Sequence, residues 1–327
     1  MGPKDRPNGE SVMKNVKIAL PLLALVVPLK PVLAQPVADT HSVSVERVDT
    51  LPNHTLFRPV AADGEQHAWP LLVWENGGCS NDPTRYSEFL SRVASAGYLV
   101  AAQGYEGNET AAPEREERGR EADMLMAEAI AWASIETARD DSEFYQQIDT
   151  NRVGLFGHSC GGFTSLQVAP TDPRVGSVIV FNSSTNPFWE PERSEVLLNS
   201  FPAGFPVAWV NGGPSDIAYP NGQANWVALP ATMPGFHVEY DFPEFDSAGE
   251  PSNGHSGFFR GELAPRLNPA IADIAINWFD FTVADGSDEA RDYLFGEPCG
   301  FCADENWQVQ VRNWSEFSPP EGAGEAQ

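Results

Sequence analysis

Lysine is almost missing from this 327-residue chain: the four it has (Lys4, Lys14, Lys17, Lys30) fall within the first 30 residues, and none follows. Acidic residues outnumber basic ones 46 to 20, for a formal net charge of −26. A surface of that sign repels phosphate backbones and anionic lipid, so nucleic acid and membrane surfaces are excluded as expected partners. Such a surface suits salty surroundings, where ions screen self-repulsion, or else reflects composition bias. Long apolar runs are also lacking. The longest, Ile18 to Leu29, has 12 residues and is interrupted by Pro21 and Pro28, short of the about 20 that a spanning helix needs. Cysteine is scarce, with four residues, and no spacing of cysteine with histidine suggests a metal site.

The basic residues Lys14 and Lys17, the apolar run and the sequence Val32-Leu33-Ala34 follow the order of a secretory signal, so residues 1–34 are expected to be removed. A secreted or periplasmic location follows, and in an exported chain four cysteines favour disulfides. Residues 35–327 are expected to form one domain, with a short C-terminal extension from about residue 287.

Apolar runs rich in β-formers alternate with helical patterns, which argues for parallel strands joined by crossover helices. Strands are predicted at His54–Val60, Trp69–Trp74, Tyr98–Ala102, Arg152–Phe156, Val175–Phe181, Phe205–Val210 and Phe236–Tyr240. Helices are predicted at Thr84–Ala96, stopped by Gly97, at about Glu121–Ala138 with Leu125, Ala129, Trp132 and Ile135 on the buried face, and at Pro269–Val283. Glu106–Arg120 reads as an exposed loop. The expected fold is α/β: an α/β-hydrolase fold, with a mostly parallel central sheet flanked by helices.

The segment Gly157-His158-Ser159-Cys160-Gly161 fits G-x-S-x-G between an apolar strand and a small-residue helix, the context in which a serine is held on a sharp turn as a nucleophile. In that fold the acid and then the histidine follow the serine in the chain. Only His237 and His255 follow Ser159. His237 lies within an alternating strand, whereas His255 sits in the loop Ser252-Asn253-Gly254-His255-Ser256-Gly257, so His255 is the expected base. Asp216, the one carboxylate in Asn211-Gly212-Gly213-Pro214-Ser215-Asp216, is the expected acid; Asp241, Glu244 and Asp246 stand behind it as alternatives.

The chain resembles the α/β-hydrolases of the dienelactone hydrolase and cutinase-like polyester hydrolase group over about Trp69 to Val283. The resemblance is carried by Arg92-Val93-Ala94-Ser95-Ala96-Gly97-Tyr98, Ile148-Asp149-Thr150-Asn151-Arg152-Val153-Gly154, Asp216-Ile217-Ala218 and Gly254-His255-Ser256. It implies ester hydrolysis through an acyl-enzyme, with no metal or organic cofactor and a small-molecule or polymeric ester as substrate. His158 matches the position before the nucleophile in polyester hydrolases and is expected to bind substrate, while Cys79 and Cys160 depart from their pattern. Dienelactone hydrolases carry cysteine where Ser159 stands.

The oxyanion donors are expected to be the amides of Cys160 and of Cys79 or its neighbour Gly78. Two amides reaching one oxygen at about 2.9 Å lie within roughly 5 Å of each other, which brings their Cα atoms into the range of a disulfide, about 4.4–6.8 Å. A Cys79–Cys160 disulfide is therefore expected, the alternative being two buried thiols lining the pocket. Cys299 and Cys302 are expected to form a local disulfide. Phe188 and Trp189 are candidate pocket residues. A serine peptidase or acyltransferase on the same fold, or a catalytically silent binding module, are the competing functions.

Overall fold

The computed structural model describes residues 41–62, 67–108, 115–185 and 191–318. The segment read as a signal, residues 1–34, lies outside them, as do Phe188 and Trp189.

Nine strands among the described residues form one sheet in the order β1-β2-β4-β3-β5-β6-β7-β8-β9. They are β1 Ser42–Glu46, β2 His54–Val60, β3 Trp69–Glu75, β4 Leu99–Gln103, β5 Ile148–His158, β6 Val175–Phe181, β7 Val207–Asn211, β8 Gly235–Tyr240 and β9 Trp307–Arg312. The strands from β4 through β8 in that order run parallel, and β1, β2 and β9 pair antiparallel at the two sides. The helices are α1 Ser87–Ser95, α2 Arg115–Ala138, α3 Cys160–Val168, α4 Pro191–Leu198, α5 Tyr219–Ala228, α6 Ala264–Phe279 and α7 Asp288–Phe295.

Every residue of β3 is buried, because helices cover both of its faces. Leu72 and Trp74 pack in a core with Phe89 and Val93 of α1 and with Ile274 and Trp278 of α6. Leu71 and Val73 point the other way, into a second core with Met126 and Ile130 of α2 and Leu166 of α3. Each large apolar side chain buried this way contributes about 1.5–3 kcal/mol.

Three expectations shift. The helix α2 begins at Arg115, so the stretch predicted as loop to Arg120 is partly helical; its buried face is Ala122, Met126, Ala129, Ile130, Trp132 and Ala133, so Ala129 and Trp132 are inside as expected, while Ile135 is 62% exposed. The helix α6 begins at Ala264 with Pro265 in its first turn, which leaves Pro269 inside the helix instead of starting it. The segment beyond Ser287 is built into the body: Ser287 Oγ accepts from the Ala290 amide to cap α7, Leu294 enters the core, and β9 pairs with β8 across six positions.

The parallel register aligns the carboxyl ends of the strands: Glu75 lies beside Gly157, His158 beside Phe181, and Phe181 beside Val210. The loops leaving β3, β5, β7 and β8, with Asn182 after β6, therefore open on one edge, the usual place for a site in such sheets.

Candidate active site

The turn between β5 and α3 holds Ser159 at φ 54° and ψ −113°, a backbone conformation that non-glycine residues rarely adopt. A side chain on Gly157 would collide with the Gly161 backbone, and one on Gly161 with the Glu75 backbone, which is why both flanks are glycine. Ser183 Oγ donates to the Ser159 carbonyl at 2.6 Å and pins the turn.

His255, in the loop after β8, places Nε2 2.8 Å from Ser159 Oγ and Nδ1 2.6 Å from Asp216 Oδ1. The carboxylate can only accept, so Nδ1 carries the proton and donates it in the hydrogen bond, which leaves the Nε2 lone pair toward the serine. Asp216 is 2% exposed and receives further bonds from Asn182 Nδ2 at 2.9 Å, the Gly212 amide at 3.2 Å and the Ala218 amide at 2.8 Å. Burial pushes the Asp216 carboxyl up, but its bonds from His255, Asn182 and Ala218 outweigh that and hold it below the usual value. It remains a carboxylate at neutral pH.

His237 is fully buried in β8 beside Glu239, and burial lowers its pKa to about 4. Asp241 and Glu244 line a cavity of about 710 Å³ that backs onto the acid loop at Pro214 and Ser215. Asp246 accepts amide bonds from Ala248 and Glu250 in its own turn.

Cys79 and Cys160 are disulfide-bonded with their Cα atoms 5.3 Å apart, so the reading of two free thiols lining a pocket falls away. Cys299 and Cys302 are bonded as well, at 5.1 Å. In the oxyanion loop the Cys79 amide donates to the Asn76 carbonyl at 3.1 Å, closing a 3₁₀ turn over Gly77–Cys79. Gly78 lies in the same turn at φ 72°. Cys160 is the first residue of α3, whose early amides have no carbonyl within the helix to bond.

His158, the residue expected to contact substrate, is buried. Its ring is 4% exposed, and both nitrogens are engaged: Nδ1 lies 2.9 Å from Tyr86 Oη and Nε2 2.8 Å from the His255 carbonyl. Burial, with the His255 charge second, lowers its pKa to about 3, so the ring is neutral in ordinary buffers.

Sequence reasoning missed Asn182, Tyr86 and Glu75. Asn182 follows a strand at the active edge, a place that topology could have flagged. Glu75 is fully buried at the end of β3, and burial holds its carboxyl well above the usual range. No local pattern marks Tyr86.

A family model described as X-Pro dipeptidyl-peptidase (S15 family) matches residues 49–200. The chain is also similar to a 20-hydroxy-prefusarin hydrolase of Gibberella moniliformis, 29% identical over 33% of this chain and 23% of that protein. The hydrolyase poxO of Penicillium oxalicum is 26% identical over 59% of this chain and 48% of that protein, and the hydrolase LUC6 of a Fusarium species 27% identical over 42% and 26%. The chain spans less than half the length of these curated relatives. These matches support the α/β-hydrolase superfamily and not the dienelactone hydrolase or cutinase-like group that the residues resembled. The S15-like segment holds the oxyanion loop and Ser159, while Asp216 and His255 lie beyond its end. Sheet order, strand-turn-helix geometry and these similarities together identify the fold: the chain is an α/β-hydrolase-fold protein.

Proposed function

We propose that this chain is an exported serine hydrolase that cleaves carboxylic esters through an acyl-enzyme on Ser159. The observation that carries the reading is His255, which bridges Ser159 Oγ at 2.8 Å and Asp216 Oδ1 at 2.6 Å. Ser159 Oγ attacks the ester carbonyl while His255 Nε2 takes its proton. The amides of Cys160 and of Cys79 or Gly78 hold the developing oxyanion, each such donor being worth about 3–4 kcal/mol of barrier. His255 returns the proton to the departing alcohol, then takes one from a water that attacks the acyl carbonyl; collapse frees the acid and restores Ser159. Asp216 stays charged throughout and stabilises the imidazolium. Two disulfides and the leader-like residues 1–34 support export.

A second reading, a serine peptidase, is favoured by the match to the S15 description over residues 49–200. Hydrolysis by the purified protein of short-chain esters, long-chain esters, a polyester film and X-Pro amides decides between them. Ester turnover that disappears in Ser159→Ala, with amides untouched, supports the esterase; preferential X-Pro amide cleavage replaces it with the peptidase. Turnover of neither substrate class leaves the acyltransferase or the binding module.

A further inference from the structure

We infer that His158 and Tyr86 are positioning residues that tie the oxyanion loop, the nucleophile turn and the catalytic-histidine loop into one unit through a hydrogen-bond chain of fixed direction. The inference rests on the esterase reading above for its kinetic consequence, and on the geometry alone for the bonds.

The direction follows from what each atom can give. The His255 carbonyl accepts only, so the His158 Nε2 at 2.8 Å must carry the proton and donate it. A neutral imidazole has one N–H, so His158 Nδ1 is then an acceptor, and the Tyr86 hydroxyl 2.9 Å away must donate to it. The Tyr86 oxygen in turn accepts the Gly77 amide at 3.1 Å. Proton donation thus runs from Gly77 to Tyr86, from Tyr86 to His158 and from His158 to His255. One member belongs to the oxyanion loop, one immediately precedes Ser159, and the last carries the general base.

The surroundings are built for this chain. Tyr86 is 1% exposed, and burial holds its hydroxyl in the protonated form that the direction requires. The Phe259 ring packs on His158 at 4.9 Å and on Tyr86 at 5.0 Å, four residues after the base whose carbonyl is held. A side chain on Gly77 would collide with both the His158 ring and the Tyr86 hydroxyl, so glycine there leaves room for the bond. Burial in apolar surroundings strengthens each bond and raises the cost of leaving one partner alone.

The consequence is kinetic. The loop holding His255 gains an anchor on the residue next to the nucleophile, separate from the anchor that Asp216 gives the imidazole itself. Loss of that anchor misplaces the base relative to Ser159 Oγ without touching the substrate, so kcat falls while KM stays.

Two substitutions at one position separate the bonds. In H158Q the amide nitrogen occupies the place of Nε2 and keeps the donation to the His255 carbonyl. In H158N the side-chain oxygen occupies the place of Nδ1 and keeps only the bond from Tyr86. The full-length protein is assayed for ester turnover and by proton NMR for the downfield His255 Nδ1–H resonance. The expected result is kcat within about threefold of wild type for H158Q and a fall of about 10- to 100-fold for H158N, both at unchanged KM, with the resonance shifted or broadened only in H158N. Y86F, which removes one hydroxyl inside an aromatic cluster, carries the test if either variant misfolds: its kcat falls at unchanged KM and its resonance shifts. Equal kcat in H158N and wild type, or equal losses in H158N and H158Q with the resonance unmoved, or a Y86F protein that differs only in thermal midpoint, overturns the inference. Should the wild type prove inert toward every substrate, the resonance still reports whether residue 158 positions residue 255.

Discussion

Asn182 donates the same side-chain amide twice, to Asp216 Oδ2 at 2.9 Å and to the Gly254 carbonyl at 3.0 Å, and so fastens the Asp216 loop to the residue just before His255. It does this from φ 49°, a left-handed conformation that asparagine tolerates better than most residues.

Replacing Asn182 by glycine keeps the backbone conformation open and deletes only the amide. A hydrogen bond to a charged group is worth about 1.5–3 kcal/mol, so kcat for ester hydrolysis is expected to fall roughly 10- to 100-fold with KM little changed. Steady-state kinetics of Asn182→Gly checks this; an unchanged kcat removes Asn182 from the positioning of the triad.

The Cys79–Cys160 disulfide joins residues 81 apart and fastens the Gly77–Cys79 turn to the first residue after Ser159. Closing a loop of that length in the unfolded chain is worth about 4 kcal/mol. The double variant Cys79→Ser, Cys160→Ser is expected to lose stability of that order in urea denaturation and to lose kcat as well. The Cys299→Ser, Cys302→Ser pair, which closes a short loop away from the site, is expected to keep kcat. Equal activity in both double variants would show that the clamp has no part in catalysis.

His54 is buried, and burial lowers its pKa to about 4 against a weaker opposing effect of the Leu125 backbone. The unfolded chain binds a proton below pH 6.5 that the folded chain refuses until about pH 4, so this residue's contribution is fully present above pH 6.5 and is lost as pH falls. At pH 5 the loss is about 2 kcal/mol. Urea denaturation at pH 8 and pH 5 is expected to show wild type losing that much more than His54→Gln; parallel losses would contradict it.

The parts of the fold that rest on local pattern are legible in the sequence. Strands β3, β5 and β6 announce themselves as apolar runs, and Ser159 by the glycines that its turn demands. The edge strands were not legible, because β1 is largely exposed or half-buried and β9 alternates apolar with polar residues in a segment full of charge. On α2 the spacing places Ala129 and Trp132 inside but also Ile135, which faces out because Met126 and further alanines fill the space against the sheet. Within the site, spacing and loop position pointed to Asp216 and His255. The roles of Asn182 and Tyr86 arise only when residues 72 positions from their partners meet, as Tyr86 does with His158 and Asn182 with Gly254. The bond from the Cys79 amide to Asn76 has the same origin: it depends on a turn conformation that composition does not specify.

The central claim is that Ser159 is a nucleophile activated by His255. Reaction with a fluorophosphonate, followed by intact mass and peptide mapping, measures this directly. The account predicts one adduct per chain, on Ser159, absent in Ser159→Ala and slowed by about 10⁴-fold in Asp216→Asn, whose imidazole is held in the wrong tautomer. Wild-type protein that stays unlabelled, or an adduct on another residue that survives Ser159→Ala, would contradict it.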